Sequence, residues 1–175
     1  NNIKIDRIAD DAGKKGDVTD IRLTSGIKEL NISCKNNSAS IKHQRPGSTP
    51  TQFGLNKKEI EYILFSEKYK NINSIFFDLC KKNITNLEYY NQIDTQTKID
   101  RLYKPICILV SNFINQNCNK GQTYLDFLLG TVDYKQITLN KKEILIKSFE
   151  NFPKSTTVTS SIDNRGNYIL VNFHN

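Results

Sequence analysis

The chain has 175 residues, a length that supports one hydrophobic core and one domain rather than two. Its net charge is +7, with 25 Lys and Arg spread along the sequence, which favours a polyanionic partner over a solvated basic arm. No apolar run approaches the roughly twenty residues of a membrane helix, and no basic, apolar and small-residue leader opens the chain, so a membrane partner is excluded and the cytoplasm is the expected location. Cysteines stand at 34, 80, 107 and 118 without a CxxC pair, a pattern that supports neither a structural zinc nor a disulfide framework. The composition is also rich in Lys and Asn, as AT-rich coding produces, so charge alone decides little. The absence of any Met and the strand-like run that ends at Asn175 suggest a fragment lacking both natural termini.

Residues 3 to 15 carry Ile3, Ile5, Ile8 and Ala9 among charges, fitting a strand end or one helical turn before the Gly13 to Gly16 loop. Two β runs follow, 20 to 23 and 30 to 35, joined through Ser25-Gly26. Residues 36 to 50 are polar and turn-rich and fit a short helix leading into a loop. From Asn56, with Glu59 three positions on and then Ile60, Ile63 and Leu64, the spacing predicts a helix over 57 to 69. A second is predicted over 72 to 82, with Ile75, Phe76, Leu79 and Cys80 on one face. Residues 86 to 103 suit one broken or two short helices. Pro105 opens a run through Ile114 that reads as a buried helix, and a short helix stops at Gly130. The remainder, rich in Ile, Thr, Val and Phe, predicts strands over 134 to 139, 143 to 149, 156 to 162 and 168 to 173, with a hairpin turn at 164 to 167. The order predicts an α/β (α+β) fold with a central mixed sheet flanked by helices.

The first hairpin is the segment whose spacing asks for a reaction. Pairing Leu23 with Leu30 sets Ile21 opposite Ile32 and Asp20 opposite Ser33. Ile21, Leu23, Leu30, Ile32 and Cys34 then share one apolar face, expected to meet the core, while Asp20, Arg22, Asn31, Ser33 and Lys35 share the other. A carboxylate and a lysine come side by side at one strand spacing, about 5 Å. Phosphodiester cleavage needs a nucleophilic water and a cation to take up charge on the phosphate; a carboxylate can hold Mg2+ and a lysine can orient or activate the water. An Asp and a Lys across a hairpin are also the commonest kind of surface ion pair, and flanking sequence must separate the two readings.

These residues resemble the PD-(D/E)xK nuclease motif, with Asp20 as first acid and Ser33-Cys34-Lys35 in the (D/E)xK position. Gly16-Asp17-Val18-Thr19-Asp20, then Ser33-Cys34-Lys35, then Lys42-His43-Gln44-Arg45 resemble the GDxxD, SxK and KHxR elements of HaeIII-like type II restriction endonucleases. The middle of the chain, including 128 to 135, is similar too, although only the first fifty residues carry the likeness specifically. The resemblance implies a restriction-endonuclease-like fold in a single nuclease domain over 1 to 175, Mg2+-dependent cutting of double-stranded DNA at a short palindrome, GGCC or a close relative, and a homodimer to cut both strands.

Ser33 departs from the general motif, because a hydroxyl is a weak Mg2+ ligand where an acid is expected. The metal set is therefore read as Asp20, the Cys34 carbonyl, and Asp17 or Asp11, with Asp10 behind them. Lys35 positions the water, and Ser33 belongs to the same catalytic cluster. His43, with Arg45, suits a phosphate clamp or a general base, and Lys42, Asn36 and Asn37 complete the expected DNA contacts. A repair or resolvase nuclease with the same core, a DNA-binding module without catalysis, and an interaction domain that meets no nucleic acid remain open at this point.

Overall fold

The computed structural model describes residues 2–8, 18–36, 45–78, 84–140 and 143–175. They fall into two compact units, one from 1–44 with 122–154 and one from 45–121 with 155–175. The first carries a five-stranded mixed sheet and the second most of the helices and a two-stranded sheet. The fold is α+β, as the order of elements predicts, and of the restriction-endonuclease-like kind.

In the first unit, β1 (Lys4–Arg7), β2 (Ile21–Ser25), β3 (Lys28–Asn36), β4 (Tyr134–Asn140) and β5 (Glu143–Phe149) lie side by side in that order. β3 is central, antiparallel to β2 and parallel to β4. Ile21 faces Ile32 and Leu23 faces Leu30, the register that the apolar alternation predicts. Gly26 turns the hairpin at φ 60°, a conformation open to glycine at little cost, and its missing Cβ would meet nothing within 4 Å. Backbone conformation, not crowding, requires glycine there.

The register holds but its inside and outside are exchanged. Asn31 and Ser33 are buried at 6% and 1% exposure, whereas Leu30, expected in the core, is 38% exposed and Cys34 is exposed. The polar side chains can be buried because they bond to one another and to distant backbone. Arg22 Nε donates to Asn31 Oδ1 at 3.1 Å, and Asn31 Nδ2 donates to Glu29 Oε1 at 3.0 Å and to the Asp133 carbonyl at 3.2 Å. Tyr134, which faces Asn31 across the parallel ladder, brings its ring to the same face and stacks on Phe149 at 4.7 Å. That ring supplies the apolar cover that β2 and β3 alone lack.

In the second unit, a 3-10 turn (Pro46–Ser48) leads into α1 (Thr49–Gln52), and α2 spans Ile60–Phe77. The expected helices at 57–69 and 72–82 are thus one, since no Gly or Pro interrupts them, and positions 79–82 lie outside the described residues. The helix starts late because Asn56 N–H donates to Glu59 Oε1 and Asn56 Oδ1 accepts from Lys58 N–H; these local bonds compete with helix. α3 (Asn86–Gln92) begins at a capping box, Thr85 with Glu88, and α4 (Thr95–Lys98) runs through a π turn (Ile99–Tyr103) into α5 (Lys104–Gln116). The expected buried helix α5 is two-sided instead: Cys107, Val110, Phe113 and Ile114 are buried, while Ile108 is 43% exposed.

Phe113 packs edge-to-face on Phe53 at 5.7 Å and on Phe65 at 5.1 Å, the aromatic centre of this unit. The hairpin β6 (Thr157–Ile162) and β7 (Ile169–His174) is tied to α5 through Ser160, whose hydroxyl meets Ser111 Oγ at 2.9 Å and whose N–H donates to Asn115 Oδ1 at 2.8 Å. Gly121, which opens α6 (Gly121–Leu129), approaches that hairpin so closely that a Cβ would lie 2.7 Å from the Thr157 backbone.

Candidate active site

The polar face of β2 and β3 converges on Asp20, the residue just before β2. Its backbone N–H donates to the Ile32 carbonyl at 2.8 Å, which continues the ladder by one residue and fixes the side chain beside β3. Asp20 Oδ2 accepts the Cys34 N–H at 2.6 Å and the Ser33 hydroxyl at 3.3 Å. Because a residue in extended backbone sends its N–H and C=O to the same edge, the Cys34 carbonyl opens on the Asp20 side too. Asp20 is exposed while Ser33 beneath it is buried, so the carboxylate stands at the rim of a polar floor.

Lys35 lies two positions beyond Ser33 on the same face, half-buried, and its ammonium makes no ion pair among the described residues. The pattern therefore does not close into the commonplace surface ion pair. Partial burial and the Asp20 charge push the Cys34 thiol up, against a smaller pull from Lys35. Cys34 is thus held as a neutral thiol on the opposite face, and its contribution to the cluster is backbone.

Ser33, in the motif's acid position, serves Asp20 as a hydrogen-bond donor. Among the described residues no three His, Cys, Asp or Glu side chains gather as a metal cluster. The oxygens that are present, the carboxylate of Asp20 and the carbonyl of Cys34, are hard donors of the kind Mg2+ takes. Asn36 ends β3 on the face opposite Lys35, exposed and paired in register with Leu139, so it is not gathered with Asp20. Arg45 belongs to the second unit, as the exposed cap of the 3-10 turn. Asp10, Asp11, Asp17, Asn37, Lys42 and His43 lie outside the described residues.

The match to known proteins is specific. The sequence profile of the HaeIII restriction endonuclease fits residues 1–166, nearly the full chain. The chain belongs to the HaeIII restriction endonuclease family. No curated protein and no solved structure matches it. As a HaeIII-family enzyme it is a type II site-specific deoxyribonuclease, with DNA as substrate. Restriction endonucleases generally use a divalent metal ion. The family assignment also separates it from the non-catalytic module and from the interaction domain. Among the described residues no helix is long and apolar enough to cross a membrane.

One neighbour of the cluster is invisible to motif reading. Gln136 on β4 is the register partner of Ser33 in the parallel ladder, and Thr138 is the partner of Lys35. A signal for them does exist in the sequence: Gln136 and Thr138 place polar groups at alternate positions of an otherwise β-like run, as Asn31, Ser33 and Lys35 do.

Proposed function

We infer that this HaeIII-family enzyme hydrolyses phosphodiester bonds of double-stranded DNA at a short palindrome, GGCC or a close relative, with Mg2+ as its metal. The observation that carries the reading is the Asp20 carboxylate, anchored by the Cys34 N–H and the Ser33 hydroxyl, with Lys35 on the same face of β3. Asp20 and the Cys34 carbonyl hold the ion, with Asp17 or Asp11 supplementing them. The bound ion offsets negative charge on the phosphate oxygens.

Lys35 contributes differently. An ammonium without a carboxylate partner among the described residues can hydrogen-bond the attacking water and lower the cost of its deprotonation. The two bonds accepted by Asp20 Oδ2 keep that carboxylate aimed, leaving Oδ1 for the ion. His43 with Arg45 engages the phosphate, Arg through its bidentate fork, and Lys42 and Asn37 contact DNA near it. Two copies related by a two-fold axis cut both strands of the palindrome. Both compact units belong to one nuclease domain, since the chain passes from one to the other at 44/45, 121/122 and 154/155, and the enzyme works in the cytoplasm.

The test is plasmid digestion with and without Mg2+, alongside Asp20→Ala and Lys35→Ala, followed by sequencing of the cut ends. Loss of cutting in both variants and in EDTA, with ends that share one palindrome, is expected. Wild-type-like cutting by either variant sinks the site assignment. Ends other than GGCC revise the recognition sequence alone.

A further inference from the structure

The polar floor beneath Asp20 extends one strand further than the hairpin. Ser33 and Gln136 face each other across β3 and β4, each about 1% exposed, one strand spacing of about 4.8 Å apart. Asp20, Ser33 and Gln136 thus form a row across three strands on one face. The Gln136 carboxamide is held from one end only: Nε2 donates to Thr138 Oγ1 at 3.2 Å, while Oε1 is buried and has no hydrogen-bond partner among the described residues. A buried carbonyl oxygen that gives up its hydrogen bonds to water without replacement is costly, and native structures keep few of them.

An amide oxygen is also a hard neutral donor of the type that hard divalent ions accept from Asn and Gln. This strand neighbour of Ser33 carries a better oxygen donor than Ser33 itself, whose hydroxyl is a weak ligand for a hard divalent ion. We propose that Gln136 Oε1 belongs to the divalent-cation shell of the Asp20 site, directly or through one water, and that the Thr138 bond orients the amide so that its oxygen, not its nitrogen, faces the ion. The proposal rests on the reading of Asp20 as the metal-holding carboxylate. A neutral oxygen on the strand beside Ser33 adds no negative charge to the site, so affinity for the free ion is weaker than two strand-borne acids would give, and DNA phosphate completes the shell.

Mn2+ binding to the full chain, followed by the loss of the free-ion electron paramagnetic resonance signal, tests this without any measurement of cutting. Gln136→Leu keeps the size of the side chain and removes the oxygen; affinity is expected to fall by about ten- to a hundredfold, with an unchanged circular dichroism spectrum. Gln136→Glu is expected to bind Mn2+ more tightly than wild type, and Asp20→Ala to bind none. A folded Gln136→Leu with wild-type affinity, beside an Asp20→Ala that binds none, overturns the role of Gln136 and leaves the Asp20 site standing. Wild-type affinity in Asp20→Ala overturns the site itself. Should Gln136→Leu not fold, Gln136→Glu decides, and affinity equal to or weaker than wild type counts against the proposal.

Discussion

The Asp20 carboxylate accepts the main-chain N–H of Cys34 at 2.6 Å, so the side chain at the head of one strand is pinned to the backbone of the next. Asp20→Asn retains an acceptor for that N–H but loses the charge. It is expected to fold with the wild-type melting temperature, to lose Mg2+-dependent cutting, and to keep binding DNA. Wild-type cutting by Asp20→Asn would show that the carboxylate serves the hairpin alone.

Lys35→Ala removes a cation that meets no carboxylate among the described residues, so its structural cost there is small. The expected loss is about 10²- to 10⁴-fold in the cleavage step, measured in single-turnover digests at saturating Mg2+, with little change in the metal concentration needed for half-maximal rate. A large shift in that metal requirement would move Lys35 from water positioning to organisation of the site.

Ser33→Ala removes the buried hydroxyl that donates to Asp20 at 3.3 Å. The bond contributes about 1 kcal/mol to stability, and its loss loosens the carboxylate, lowering metal affinity by about tenfold. Mn2+ titration together with thermal melting measures both. An unchanged affinity would mean that the Cys34 N–H alone aims Asp20.

Tyr134→Phe bears on the floor of the sheet. The Tyr134 ring stacks on Phe149, and its hydroxyl is buried with no partner among the described residues. The substitution keeps the ring and discards the unpaired group, so stability should rise by about 1 kcal/mol, a few degrees in melting temperature for a chain of this size. A fall in melting temperature would reveal a partner for that hydroxyl.

Alkaline unfolding follows from three phenols. Burial pushes Tyr124 and Tyr134 up to about 12, and Tyr103, bonded to the Tyr90 hydroxyl and partly buried, also goes to about 12. The native state holds these protons more tightly than the unfolded chain, whose phenols titrate near 10. Their stabilising contribution is therefore fully present below pH 10 and is lost as pH rises from 10 toward 12. Ultraviolet titration should show phenolate from Tyr103, Tyr124 and Tyr134 appearing last, together with unfolding. Their ionisation with the exposed tyrosines, before any loss of structure, would contradict this.

The hairpin was legible because alternation of Ile and Leu admits one register, and Leu23 with Leu30 is the pair observed. Which side of it is buried was not, since that depends on Asp133 and Tyr134, a hundred residues on, which supply a carbonyl for Asn31 and an aromatic cover. Helical spacing placed α2, but its start was displaced by the Asn56 and Glu59 side-chain bonds, a local competition that periodicity does not register. Asp20 and Lys35 could be singled out as a motif because they are close in sequence. Gln136 could not, because its place beside Ser33 exists only through parallel pairing of β3 with β4, which no short-range pattern announces.

That pairing has a consequence for biosynthesis. β3 ends at Asn36 and its parallel neighbour begins at Tyr134, so the strand bearing Lys35 acquires its second flank only after nearly a hundred intervening residues have left the ribosome. Contacts so distant along the chain close slowly. A nascent or prematurely terminated polypeptide that stops short of β4 carries Asp20, Ser33 and Lys35 without the strand that completes their floor, so the site is not assembled until β4 has emerged.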